Sequence, residues 1–392
     1  MDTVAVICEY NPLHRGHALL FERARATHPS CNLVSVMSGN TVQRGDFALF
    51  DRYTRARAGI LCGSDLVLEL PYPYSCAASE QFASAGVRIA ALSGAKYLIF
   101  GIGSDRTDEL FEAAAILGSE EFRYELSSLA RANPARSFLS LREELYRKYS
   151  DKPLPRDGNS SLGIEYIIAA DRLRRAGVAD ITCEPFHRTA PFSATVCREL
   201  IRDGDSEEQI AALIPDEASA LFRKSPVSGG LFALSDHVLA ALRIMYATGM
   251  GLSHTDTDNG IRAALAKSAV KASNFEDFLT LLPTSTYTRA RLRRELLDAL
   301  LIPEIEDANA LRNQPPPYSV LLGASDRGLS LLSAMRKSDT LPVITKPSDV
   351  EKLSEEAKRI YRLSDHVSAL YSLTFSPSRP IFDFITRFKR DE

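Results

Sequence analysis

Apolar residues in the first hundred positions follow two rhythms. Val4-Ala5-Val6-Ile7-Cys8, Asn32-Leu33-Val34-Ser35-Val36-Met37, Asp65-Leu66-Val67-Leu68-Glu69-Leu70 and Lys96-Tyr97-Leu98-Ile99-Phe100 are short, nearly continuous apolar runs, the pattern of strands buried on both faces. Between them, residues 18–26, 51–61 and 77–92 carry apolar positions at helical spacing. Strands alternating with helices imply right-handed parallel crossovers, and hence an open α/β sheet covered by helices. The runs stop at Asn11-Pro12, at Ser38-Gly39-Asn40, at Pro71 and Pro73, and at Gly101-Ile102-Gly103-Ser104, residues that turn the chain or cannot extend a ladder. Ligands of such sheets bind outside the carboxyl ends of the strands. The segments at Asn11, Gly39 and Gly101 therefore converge on one crevice.

Farther on, residues 107–149 read as charged helices without a strand. Pro153-Leu154-Pro155-Arg156-Asp157-Gly158-Asn159-Ser160-Ser161 reads as a loop before a helix over 162–175, and a short fifth strand around 180–183 should rejoin the sheet. Ala190-Pro191-Phe192-Ser193-Ala194-Thr195 precedes a helix over 196–201 that Ser193 or Thr195 would cap. Gly204-Asp205-Ser206-Glu207 is the best boundary, dividing an α/β domain over 1–205 from a mainly helical domain over 206–392. The second domain shows turns at Ser228-Gly229-Gly230, Asp258-Asn259-Gly260 and Pro315-Pro316-Pro317, and a strand-like run, Tyr318-Ser319-Val320-Leu321-Leu322-Gly323, before a helix over 327–335.

The first strand, turn and helix make a place for an anion. Backbone N–H groups of a first helical turn lack partners and sit at the positive end of the helix dipole. His14 and His17 would add donors there, and Gly16 lets the backbone approach a ligand. A histidine pair at this spacing could also bind metal or simply cap the helix. No third His, Cys or carboxylate lies at a suggestive local spacing, so no metal ligand is assigned. Attack on the α-phosphate of a nucleotide is the chemistry that would use such donors.

Composition narrows the partners. With 47 Lys plus Arg against 50 Asp plus Glu, a net charge of −3 predicts no general attraction to nucleic acid or to an acidic membrane. A polyanion site must be local, and Tyr287-Thr288-Arg289-Ala290-Arg291-Leu292-Arg293-Arg294 supplies four arginines beside a tyrosine. The alternative is a solvated helix face with Glu295 and Asp298 as partners. No uncharged apolar run approaches the ~18 residues needed to cross a bilayer, and the chain opens directly into a strand, so no membrane and a cytoplasmic setting are expected. Six cysteines without a C-x-x-C pair are expected to be reduced and structural.

Asn11-Pro12-Leu13-His14-Arg15-Gly16-His17 resembles the H-x-G-H motif of the nucleotidylyltransferase superfamily, and Phe192-Ser193-Ala194-Thr195-Val196-Cys197-Arg198 resembles its second motif, I-S-S-T-x-I-R. Glu9-Tyr10-Asn11-Pro12, Val36-Met37-Ser38-Gly39, Gln43-Arg44-Gly45, Asp65-Leu66-Val67-Leu68-Glu69-Leu70-Pro71, Leu162-Gly163-Ile164-Glu165-Tyr166 and Tyr287-Thr288-Arg289 narrow the resemblance to the bacterial tRNA(Met) cytidine acetate ligases. The resemblance implies a Rossmann-like, HUP-type parallel sheet with helices on both faces and a mainly helical C-terminal domain. It implies that ATP activates acetate to acetyl-adenylate, releasing pyrophosphate, and that the acetyl group passes to the N4 amine of the wobble cytidine of elongator tRNA(Met). On this likeness the ATP loop comprises Ile7, Glu9, Tyr10, Asn11, Pro12, His14, Gly16, His17 and Leu20, with further contacts from Gly101, Asn159 and Arg188. His14 and His17 would meet the phosphates, with Mg²⁺ neutralising pyrophosphate, while Ser193, Thr195 and Arg198 close from the opposite side. Arg44 would anchor acetate or phosphate, Tyr287 would stack on a base, and Arg289, Arg291, Arg293 and Arg294 would hold the RNA. Gly158-Asn159-Ser160-Ser161 stands where the family usually has Pro-Asn, and Ala190-Pro191-Phe192 replaces a longer segment with a Tyr-His-Asp element. A small-metabolite adenylyltransferase and a non-catalytic nucleotide- or RNA-binding protein on the same fold are the rival readings. The sequence names neither an oligomeric state nor a group that takes the amine proton.

Overall fold

A computed structural model describes residues 1–381 apart from 104, 134–135, 189–191, 205–206, 250–258, 285–286, 303–304 and 339. The expected turn at 258–260 and the core of the boundary at 204–207 thus fall partly outside the described residues.

Among the described residues nine strands are formed: β1 (Thr3–Cys8), β2 (Asn32–Ser38), β3 (Thr41–Val42), β4 (Asp46–Phe47), β5 (Leu66–Leu70), β6 (Tyr97–Ile102), β7 (Thr182–His187), β8 (Ser319–Ala324) and β9 (Val343–Ile344). Seven make one sheet in the order β7-β6-β1-β2-β5-β8-β9. The first five run parallel, and β8 pairs antiparallel with β5. The α/β expectation therefore holds, with the first crossover helices α1 (Arg15–Thr27), α2 (Arg52–Leu61) and α3 (Ser79–Leu92) between the strands as read from the sequence.

Two strands depart from the reading. The fifth parallel strand begins at Thr182 rather than 180 and runs on to His187. Its apolar signal is weak because it is a half-exposed edge, where Pro185 is tolerated. The strand at 319–324 does not stay within a separate helical domain. It completes the sheet along β5, whose residues are all buried and whose outer edge would otherwise expose unpaired backbone groups.

The remaining helices are α4 (Thr107–Gly118), α5 (Glu120–Ala132), α6 (Phe138–Tyr146), α7 (Gly158–Arg175), α8 (Ala194–Asp203), α9 (Glu207–Leu213), α10 (Asp216–Phe222), α11 (Ser235–Thr248), α12 (Asn259–Lys271), α13 (Phe275–Thr280), α14 (Arg289–Leu301), α15 (Ile305–Asn313), α16 (Asp326–Ser338), α17 (Pro347–Val350) and α18 (Glu355–Ser372). Gly230–Thr248 has the length and apolarity to cross a membrane, with mean hydropathy 1.2. Here α11 packs on α12, and Arg243 donates to the Ala269 and Ala272 carbonyls at 3.0 and 2.8 Å.

Polar contacts join the two halves through the core. Tyr72 donates to Asp298 at 2.6 Å, and Arg312 grips the same carboxylate as well as the Cys76 carbonyl. Phe50 stacks on Phe222 at 4.4 Å. A division at residue 205 therefore separates neither sheet from helices nor one core from another.

The seam between β5 and α16 is tight. A Cβ built on Gly328 would lie 1.8 Å from the Asp65 carbonyl oxygen. Gly328→Ala must push α16 off the sheet, and overpacking of this kind costs about 1–3 kcal/mol. Denaturant unfolding should show that loss; an unchanged midpoint would mean the helix is not seated as described.

Candidate active site

The crevice is built where β1 ends. Tyr10 adopts a left-handed backbone conformation, φ 44°, which turns the chain so that its ring enters the core, 1% exposed. Its hydroxyl shares a 2.7 Å hydrogen bond with Ser35, and its ring meets His17 edge-on at 5.1 Å. The Asn11 side chain accepts from the Leu49 amide at 2.7 Å, and Pro12 is buried. Tyr10, Asn11 and Pro12, expected as nucleotide contacts, are buried residues, and Tyr10 and Asn11 also line a hollow beside the crevice.

His14 is the N-cap of α1. Its Nδ1 accepts from the Gly16 amide at 3.1 Å, while Nδ1 of His17 accepts from the His14 amide at 3.1 Å. This is a reciprocal capping box made of two histidines. A neutral ring that accepts at Nδ1 carries its proton on Nε2. Burial, reinforced by Arg188, lowers His14 to about 4; burial, then His14 and Arg188, lowers His17 well below the ordinary imidazole value. Both rings are neutral at pH 7 and keep one N–H donor each. The rings lie 4.0 Å apart and both line the crevice.

That crevice, about 390 Å³, gathers most of the expected residues. The β1 end and α1 supply Ile7, Glu9, His14, Gly16, His17 and Leu20. The end of β6 supplies Gly101, α7 supplies Asn159, and the second motif supplies Ser193, Thr195 and Arg198. Arg44 and Arg188 complete the wall. An adjoining hollow of about 240 Å³ shares Glu9, His17, Arg44 and Asn159 with it.

Local geometry corrects several roles. Gly101 is a strand residue, not a turn residue, and a Cβ there would meet the Arg188 side chain at 2.6 Å. Asn159 is exposed in the first turn of α7, not in a loop, because Asp157 caps the helix by accepting from Ser160 at 2.9 Å. Ser193 is the N-cap residue of α8 but makes no side-chain cap bond. Its hydroxyl is thus not committed to the helix. Arg198 donates to Thr195 Oγ1 at 2.9 Å and to the Asn11 carbonyl at 2.7 Å, hooking the second motif onto the first. Arg188 donates to the Phe192 carbonyl at 2.7 Å. Residues 189–191 of the shortened segment lie outside the described residues.

The electrostatics suit an anion. Residues from the N-termini of α1, α7 and α8 line one cavity together with Arg44, Arg188 and Arg198, and each helix end contributes partial positive charge. Among the described residues, no group of three or more His, Cys, Asp and Glu could hold a metal ion.

Sequence reasoning missed Arg55. Its guanidinium is 0% exposed and donates to the carbonyls of Glu9, Ser38, Gly39 and Phe50. The available signal was the small-residue surround, Ala56, Ala58 and Gly59, which marks the buried face of α2.

The arginines of α14 do not share one role. Glu295 and Asp298, their expected partners, pair instead with Arg262 and Arg312, both at 2.6 Å. Arg289 is exposed and Arg293 faces Asp46 at 3.7 Å. Arg294 donates to the Gln43 carbonyl at 3.2 Å. Arg291 lies over one face of the Tyr287 ring at 5.1 Å. Tyr287 and Arg291 border a groove of about 710 Å³ that Arg123, Arg131, Arg136, Arg142 and Arg172 also line, against two acids, Glu80 and Glu165. Gly45, at φ 77°, sets the tip of the β3–β4 hairpin onto α14, where a Cβ would lie 2.3 Å from the Arg294 amide nitrogen. The hairpin thus carries Arg44 between crevice and arginine helix.

The family described as HIGH Nucleotidyl Transferase matches residues 1–380. The chain is 30% identical to the tRNA(Met) cytidine acetate ligase of Listeria monocytogenes serotype 4b (strain F2365) over 384 residues, covering 93% of this chain and 95% of that protein. It is 28% identical to the protein of the same name from Caldanaerobacter subterraneus subsp. tengcongensis over 392 residues, covering 96% of each. Its fold is similar to the crystal structure of Thermotoga maritima TmcAL bound with alpha-thio ATP, with a TM-score of 0.86, 24% identity and 99% of each chain covered. With its motifs in place and its length matched almost throughout, the chain belongs to the HIGH nucleotidyltransferases and, within them, to the tRNA(Met) cytidine acetate ligase family.

Proposed function

We propose that this protein is an ATP-dependent tRNA(Met) cytidine acetate ligase. The observation that carries the reading is the single crevice in which two neutral histidine donors, three arginines and three helix N-termini meet, in a chain matched nearly end to end by relatives of that name. ATP binds with its phosphates toward His14 and His17. An acetate oxygen attacks the α-phosphorus, the bond to the bridging oxygen breaks, and pyrophosphate leaves. Fixed Nε2–H donors and Arg198 offset the negative charge that gathers on the phosphoryl oxygens. Mg²⁺ carried in on the triphosphate would neutralise the pyrophosphate as it leaves.

The acetyl-adenylate then meets the N4 amine of the wobble cytidine of elongator tRNA(Met). The arginine-lined groove beside α14 favours an RNA partner over a small metabolite, because a metabolite gives such a surface no purpose. In this reading Arg289 and Arg291 touch the backbone, while Arg293 and Arg294 hold the hairpin that presents Arg44 to acetate or phosphate. The setting that goes with these partners is the cytoplasm.

Acetate-dependent exchange of labelled pyrophosphate into ATP tests the first step directly. His17→Ala should lower it by about 10²–10³, the loss seen when one such donor is removed; exchange that persists undiminished contradicts the phosphate role. Exchange in the wild type should pass through pH 6.5 without an acid limb, because His14 and His17 are held neutral to well below that value. An acid limb near 6.5 that disappears in His14→Ala would show instead that His14 titrates at the ordinary imidazole value, and a basic limb there would show that an imidazolium is required. For the RNA half, Arg131→Ala and Arg291→Ala should each flatten the salt dependence of tRNA binding, by roughly 0.7–0.9 in log–log slope for each RNA phosphate no longer neutralised. An unchanged slope returns the groove to an ordinary solvated surface.

A further inference from the structure

The two steps differ in what becomes of protons. Forming acetyl-adenylate from acetate and ATP releases none, whereas joining the acetyl carbon to the N4 amine leaves a proton that must go elsewhere. Most of the crevice cannot take it. Arginines are permanently charged, Asn159 and the hydroxyls are poor acceptors of a full proton, and His14 and His17 already carry Nε2–H with Nδ1 occupied by backbone amides. Tyr166 is held in its phenol form by burial.

Glu9 is different. Among the described residues it is the one acidic side chain lining either hollow, and it lines both. A carboxylate here opposes the binding of a triphosphate and of acetate, so its place calls for a task in the other step. Nor is it held in an ion pair among the described residues. The Gln43 amide donates to its Oε1 at 2.7 Å. Arg55 is committed to four carbonyls and Arg198 to Thr195 and Asn11. The Oε2 oxygen stays available. Gln43 also ties Glu9 to the RNA side of the molecule, because its carbonyl accepts from Arg294 of α14.

We infer that Glu9 is the general base of acetyl transfer: the N4 nitrogen attacks the acetyl carbon, the carbon–oxygen bond to AMP breaks, AMP leaves with the electron pair, and Glu9 takes the amine proton. This rests on the ligase reading above. The groups facing Glu9 are Arg55 of α2, Arg198 of α8, Arg44 of the hairpin, His17 of α1, Tyr166 of α7, Cys8 of β1 and Cys76. Burial is the largest influence and raises the carboxyl above its ordinary value, opposed by the Gln43 amide and by Arg55, Arg198 and Arg44. A carboxylate whose proton affinity is raised above the ordinary value is a stronger acceptor while it remains ionised.

The test separates the steps. Single-turnover transfer from preformed acetyl-adenylate to elongator tRNA(Met) is measured beside acetate-dependent pyrophosphate exchange in wild type, Glu9→Gln and Glu9→Asp. The Gln variant keeps an oxygen for the Gln43 amide, so the wall is retained. Expected are a fall in transfer of about 10²-fold or more, a fall in exchange several-fold smaller, and loss of the acid limb of transfer in Glu9→Gln but not in Glu9→Asp. Transfer unchanged in Glu9→Gln would assign the proton to the departing phosphate or to water. Exchange lost as fully as transfer would assign Glu9 to nucleotide binding. Either result overturns the inference while leaving the ligase reading standing; wild-type protein without acetate-dependent exchange defeats that reading and the inference with it.

Discussion

The buried guanidinium of Arg55 is the constraint on which the crevice depends. Where parallel strands end and their chains diverge, the last carbonyls lose their ladder partners, and the ligand site must nevertheless form there. Arg55 collects four of these oxygens, from Glu9, Ser38, Gly39 and Phe50, and so fixes the ends of β1 and β2 and the approach to α2 relative to one another. A buried cation is tolerable only with such full pairing. The turn carrying Tyr10 and Asn11 is held against this frame, and the histidine cap of α1 follows from the turn.

The cap solves two problems with the same atoms. Helix α1 needs acceptors for its first amides, and a phosphate site needs donors. By accepting at Nδ1 and retaining hydrogen at Nε2, His14 and His17 satisfy both. Burial then keeps the rings neutral, so that in the proposed mechanism hydrogen bonding, rather than a titrating charge, would meet the nucleotide. The positive charge comes from arginines, which do not titrate in this range.

Much of this was legible in the sequence because it is local. Apolar runs, their stopping residues and the two motifs were each confined to a few positions, and β1, β2, β5 and β6 appear where those runs lie. What could not be read depends on distant pairing. Residues 319–324 look like any short apolar run, and only the open edge of β5 makes them a sheet strand. Tyr10 sits in a binding motif, yet its left-handed turn sends it into the core. The arginines 289–294 read as one basic patch, whereas the hairpin at Gly45 divides them between an exposed face and a structural seam. Arg55 carried no motif at all.

Activation of acetate and its transfer to RNA is the activity proposed for this crevice. Its most direct test is to incubate the protein with ATP, Mg²⁺, labelled acetate and elongator tRNA(Met), digest the RNA to nucleosides and identify the labelled product. N4-acetylcytidine from the wobble position is expected, dependent on ATP and absent when that cytidine is replaced. Acetate-dependent consumption of ATP with no labelled cytidine in the RNA would contradict it.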